Sequence, residues 1–229
     1  MKIRGQRECK ECGTEWSYYD TGAVSCPSCG SRYSVGTEAD RTLHTASAAT
    51  LDLTPVRNSI DAEPLDRLAE RAGSLAREFT QGYGFVDTGR LQPLDETYLT
   101  AMELRYVAGE LGRRLRVSDE QEQYFTELLR ADEGIRPTAA DVPRSMRAPR
   151  GLAYASAVRE YRSDLRSYLE ESPDPAVDGV SERLSSHVRR VRALEGDVSP
   201  REAESLIEAA RAVGRYLIDD DEEALALAQ

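Results

Sequence analysis

From residue 65 onward the apolar positions recur at threes and fours. Leu65, Leu68, Ala72, Leu75 and Phe79 form one stripe, which predicts an amphipathic helix ending near Gly82. Gly82, Gly84, Gly89 and Pro93 then break the pattern. Leu99, Met102, Tyr106, Leu111 and Leu115 predict a second helix from about Asp95. Ser118 with Gln121 three residues on is a capping-box pattern, and it opens a third helix carrying Tyr124, Phe125, Leu128 and Leu129. A break at 134–151 holds Pro137, Pro143, Pro149 and Gly151. Beyond it, Tyr154, Val158, Tyr161, Leu165 and Tyr168 mark a fourth helix, and Val177, Val180, Leu184, Val188 and Val191 a fifth. The last begins SPRE, with Ser199 as cap, Pro200 at the first helical position and Glu202 closing the box. Its stripe is Leu206, Ile207, Ala210, Val213 and Leu217; the run DDDEE at 219–223 predicts a frayed or solvated end.

The first 60 residues lack this period. EWSYYDTGAVS reads as two short strands around a turn at Asp20–Thr21–Gly22. Residues 38–60 are rich in Thr, Ser and Ala and predict a linker, with one short element around Ala48–Leu53. The expected fold class is mainly α: a small N-terminal β ribbon (1–37), a linker (38–60), an all-α bundle of about six helices (61–218) and an acidic tail (219–229). Each stripe takes about one residue in three, so each helix is expected to bury a single face.

Composition narrows the setting. No run approaches the roughly 18 apolar residues of a membrane helix, and MKIRGQREC has no apolar signal core, so the expected location is cytoplasmic. There are 41 acidic and 30 basic residues, a net charge of −11, and only Lys2 and Lys10 are lysines. An acid excess with lysine nearly absent resembles proteins of salt-loving archaea, whose carboxylate surface stays soluble in molar salt, so a halophilic protein is expected; a GC-rich genome, which favours Arg and Ala codons, is the alternative. The same balance argues against tight non-specific binding to nucleic acid or to an anionic membrane.

The chemistry is concentrated in CKECGTEWSYYDTGAVSCPSCG, residues 9–30, which holds all four cysteines as two Cys-x-x-Cys pairs. Tetrahedral zinc takes four thiolates at about 2.3 Å, and a Cys-x-x-Cys turn supplies two from one tight loop. Gly13 and Gly30 follow the second cysteine of each pair, and Trp16 and Tyr33 each stand four residues after it, placed to shield a metal. Disulfides need an oxidising compartment. A thioredoxin-like pair needs one motif opening a helix, not two followed by glycine. Iron in a rubredoxin-like site fits the same ligands. One structural zinc on Cys9, Cys12, Cys26 and Cys29 is the expectation, with iron the alternative. Four thiolates leave no open position, so no catalysis is expected at the metal.

The run DTGAVSCPSCG, residues 20–30, resembles the zinc ribbon of transcription factor IIB, in which an Asp, a Gly and a Val similarly precede the second cysteine pair. The resemblance covers about residues 7–36 and extends to haloarchaeal proteins that carry such a ribbon. It implies that the four cysteines are ligands and that the ribbon docks on protein, in the setting of transcription. The cyclin-like repeats of that family have no counterpart here.

Elsewhere the candidates are few. Tyr154, Tyr161 and Tyr168, spaced by sevens, are expected at the core edge with rings buried and hydroxyls wet. The loop GIRPTAADVPRSMRAPR (134–150) is basic, and Arg136, Arg144, Arg147 and Arg150 are candidates for binding a protein partner or pairing with the chain's own carboxylates. Arg189, Arg190 and Arg192 are expected on a solvated face. His44 and His187 stand apart from any ligand cluster, and there is no phosphate-binding glycine loop, no serine elbow and no His-Glu-x-x-His. The expected function is a non-enzymatic adaptor or regulator with a protein partner, such as transcription machinery, and no small-molecule substrate. The alternative is a nucleic-acid binder using Lys2, Arg4, Arg7, Lys10 and Arg32 with the loop arginines. Residues 1–40 are near neutral, however, with five basic and six acidic side chains.

Overall fold

The computed structural model describes residues 1–46 and 50–227. Short strands come first: β1 (Lys2–Ile3), β2 (Gln6–Cys9), β3 (Glu15–Ser17), β4 (Ser34–Gly36) and β5 (Thr42–Leu43), with a one-turn helix α1 (Tyr18–Thr21) after β3. β2 is the centre of an antiparallel sheet of order β3-β2-β4, and β1 pairs with β5. The hairpin expected around Asp20–Gly22 is not formed. The Ser17 hydroxyl accepts the Asp20 N–H at 3.4 Å and Gly22 closes the turn at φ 63°, so the chain coils into α1 where a second strand was expected.

The body follows as α2 (Thr54–Arg57), α3 (Leu65–Gly82), the hairpin β6 (Val86–Asp87) and β7 (Arg90–Leu91), α4 (Glu96–Leu111), α5 (Asp119–Leu128), α6 (Arg147–Glu171), α7 (Pro175–Ala193), α8 (Pro200–Asp219) and α9 (Glu222–Leu227). The fold is mainly α with a small N-terminal β part, and the six expected helices are α3 to α8. Their starts follow the caps: Asp95 Oδ1 accepts the Tyr98 N–H at 2.7 Å, and Ser199 and Glu202 exchange both capping bonds. Two boundaries differ. α4 stops before Gly112, leaving Leu115 fully exposed rather than on the buried stripe. α6 starts at Arg147, because Pro149 lies in the first turn, where its missing N–H costs nothing. Gly151 is a close-approach residue within that helix, not a break: a Cβ there would meet the Gly196 carbonyl oxygen at 2.3 Å.

α6 packs on α4, α7 and α8, and α4 also packs on α3 and α5. These two helices are buried on more than one face, contrary to the one-face expectation. Residues 153–158 of α6 are all buried, and α4 buries Thr100 and Glu103 among its apolar residues.

The segment expected to be a linker is built into the body. Leu43, Leu53 and Val56 join the helical core, the Leu53 N–H donates to Asp132 at 2.7 Å, and Arg57 pairs with the same carboxylate. Of the short element expected at Ala48–Leu53, Ala48 and Ala49 lie outside the described residues and Leu53 is the N-cap of α2. The acidic tail is likewise not all solvated, since α9 folds onto α8 and buries Ala224 and Leu225.

The β part is seated on the helices. Lys2 pairs with Glu171 at 2.7 Å, and Thr45 donates to Asp164 at 2.6 Å. His44 is buried beside the rings of Tyr18 and Tyr19, and its Nδ1 accepts the Thr88 N–H at 3.2 Å. Burial holds its pKa below the ordinary histidine value, against the pull of Asp87.

Candidate metal centre

Two loops of the same shape present the four cysteines. In the first, the Cys9 N–H donates to Thr14 O at 2.9 Å and the Gly13 N–H to Cys9 O at 3.0 Å. In the second, the Cys26 N–H donates to Ser31 O at 2.8 Å and the Gly30 N–H to Cys26 O at 2.9 Å. Gly13 and Gly30 sit at φ 72° and 73°, a conformation that a side chain would strain. The two loops face each other and bring Cys9, Cys12, Cys26 and Cys29 together, with all four sulfurs within 4.8 Å of one another.

The sulfur spacing fits one ion. Cys9 Sγ lies 3.6 Å from Cys29 Sγ, and Cys12 Sγ 3.5 Å from Cys26 Sγ. A tetrahedron of sulfurs about 2.3 Å from its centre has edges of about 3.8 Å. Cys9 and Cys26 are buried with Trp16, while Cys12 and Cys29 face outward. Trp16 holds its place by donating Nε1–H to Ala23 O at 3.1 Å. Tyr33 does not play the matching part; it is 73% exposed. Strand alternation explains this, because Ser34 points inward to accept from Arg7 and to donate to Val24 O, which turns Tyr33 out.

The outward-facing thiols differ in acidity. The Thr14 hydroxyl and N–H hold Cys12 down to about 6. At Cys29 the Ser31 N–H pulls the same way, but the neighbouring thiols and burial push it up to about 12. Four sulfurs this close cannot all ionise at neutral pH alone; a bound dication reverses that balance. Both zinc and iron suit such a set, and their four bonds would use all four sulfurs.

The loop arginines are divided. Arg150 is fully buried: its Nη1 donates to Glu103 at 3.1 Å and to the Tyr124 hydroxyl at 3.0 Å, and its Nη2 to Pro137 O at 3.1 Å and to Glu204. Arg136 is mostly buried, pairing with Glu96 at 2.5 Å and Glu204 at 2.7 Å, and Arg211 completes the set on Glu96 at 2.8 Å. Three arginines thus face three glutamates. Burial pushes the Glu103 carboxyl up, against the pull of Arg150 and two tyrosine hydroxyls. Of the four arginines considered for a partner, only Arg144 and Arg147 reach the surface. Tyr154 and Tyr161 are buried, hydroxyls included: Tyr154 donates to Glu103 at 3.2 Å, and the Tyr161 hydroxyl has no partner among the described residues. Glu103 and Glu204 escaped the sequence reading, in which helical carboxylates are surface charge. The available signals were the position of Glu103 between Met102 and Leu104, and the one-turn spacing of Arg150 and Tyr154.

Among the described residues no helix is long and apolar enough to cross a membrane. The model of the family of unknown function DUF7117 matches residues 1–229, and the chain belongs to that family. No curated protein and no solved structure matches it.

Proposed function

We propose that this member of DUF7117 is a non-enzymatic zinc-ribbon protein, a protein–protein adaptor or regulator associated with transcription. The observation that carries the reading is the closed set of four cysteines, which supplies every bond a tetrahedral metal makes and so gives the metal a structural task. The transcriptional setting rests on the likeness of residues 7–36 to the ribbon of transcription factor IIB. Zinc is the ion proposed, because two Cys-x-x-Cys loops with glycine after each suit it and no redox partner site is called for.

Three exposed side chains on the ribbon favour protein as the partner. Val24, Tyr33 and Val35 are large apolar side chains left exposed to solvent on the ribbon. The basic side chains that would grip phosphate are largely engaged: Lys2 with Glu171, Lys10 with Glu8, Arg7 with Ser34, and Arg136 and Arg150 inside the body. Little counterion release is left to drive binding to a duplex.

Fluorescence anisotropy with random and promoter-like duplexes, in about 1–2 M potassium chloride, is expected to show no binding below micromolar concentrations. Sub-micromolar affinity there overturns the adaptor reading in favour of nucleic acid.

A further inference from the structure

The groove between α6 and α7 gathers arginines that meet no carboxylate among the described residues. Several sheltered arginines elsewhere meet a carboxylate, as Arg57, Arg136, Arg150 and Arg211 do. In this groove of about 670 Å³, Arg162 and Arg166 from α6 and Arg189 from α7 converge, and none forms an ion pair among the described residues. This occurs in a chain whose acidic residues outnumber its basic ones by eleven. Arg162 Nε is shut off from solvent and has no hydrogen-bond partner, and its Nη2 reaches only the Ser181 hydroxyl at 3.5 Å. Arg189 is held by serine hydroxyls, Nη1 on Ser185 at 3.1 Å and Nη2 on Ser186 at 3.0 Å. Burial and the charges of Arg166 and Arg189 pull the Arg162 pKa down, with no opposing carboxylate. Glu170, Asp178 and Glu182 also line the groove without forming an ion pair with these arginines.

We propose that this groove is an oxyanion site, in which Arg162, Arg166 and Arg189, with the hydroxyls of Ser181 and Ser185, bind the phosphate group of a small phosphorylated compound or free phosphate. Guanidinium groups offer planar sets of donors that match phosphate oxygens, and serine hydroxyls add neutral donors. An unpartnered, sheltered guanidinium beside two others is unfavourable until an anion arrives, which gives the anion its binding energy. The carboxylates in the same groove suit donors on the organic part of a phosphate ester.

The test is thermal melting of the full chain at fixed ionic strength, with potassium phosphate replacing potassium chloride, and with adenosine monophosphate in a parallel arm. Phosphate is expected to raise the melting temperature; a larger rise with the nucleotide assigns an ester, and an equal or smaller one assigns free phosphate. Arg162→Gln should weaken the phosphate response about tenfold or more in concentration, the loss of one charged hydrogen bond. It should leave the melting temperature in chloride unchanged or higher, since an uncompensated charge is removed. Arg189→Gln, an exposed position, should weaken the response likewise, whereas Arg190→Gln, whose side chain pairs with Glu202, should not. No phosphate effect beyond chloride, or a full effect retained in both Arg162→Gln and Arg189→Gln, overturns the proposal. So does destabilisation of Arg162→Gln in chloride, which would make Arg162 a structural residue.

Discussion

Arg150→Ala is expected to destabilise the folded protein by about 3–5 kcal/mol in urea unfolding, the cost of leaving a buried charge without its partner. Glu103 is fully buried in the middle of α4, and Arg150 is its only ion-pair partner among the described residues. Removing the guanidinium also strips donors from the Tyr124 hydroxyl, Pro137 O and Glu204. The double variant Glu103→Leu with Arg150→Met should recover most of the loss, because apolar replacement of a buried pair is often neutral or better. A cost of about 1 kcal/mol or less for Arg150→Ala alone would mean a solvated, surface-like pair and would contradict the arrangement.

Removal of the metal should have the second large effect, and a local one. Chelation under reducing conditions, or Cys26→Ser, is expected to abolish amide-exchange protection over residues 1–37 while leaving most of the helical circular dichroism. The reason is the size of the ribbon's own core: Cys9, Trp16 and Cys26 are its buried hydrophobic cluster among the described residues, too little to hold about 37 residues without a metal. The helices share a separate core running from Leu43 to Leu225. Contacts at the seam, such as His44 with Tyr19, should loosen as the ribbon unfolds. Full protection of residues 1–37 in a reduced, metal-free sample would contradict the assignment.

Both effects bear on what the sequence disclosed. The ribbon was legible because metal ligation imposes spacing, and spacing survives without any fold: the four cysteines and the two glycines behind them are visible in a string of letters. The six helices were legible because Leu, Val and Phe kept a period close to 3.6 and Asp95, Ser118 and Ser199 marked their starts. What pattern could not show was burial achieved with polar residues. Arg150 and Glu103 count as surface in any hydrophobic tally, yet they occupy the interface of α4 and α6 as an ion pair. Small residues hid the same fact along α6, because Ala153, Ala155, Ser156 and Ala157 are buried without an apolar stripe. Residues 42–57 looked like a linker because short strands and a single helical turn carry no period, although Leu53 and Val56 are wholly buried. Tyr33 was misplaced by analogy with Trp16; the pairing of β2 with β4, which fixes the alternation there, is a long-range fact.

If the proposed function holds, four thiolates enclose the metal and leave no place on it for a substrate. X-ray absorption at the metal edge of the purified chain tests it directly. Zinc is expected at one ion per chain, with four sulfur neighbours at about 2.3 Å and no nitrogen or oxygen bound to it. A light-atom ligand on the metal, or a chain that carries no metal with its ribbon folded, would contradict it.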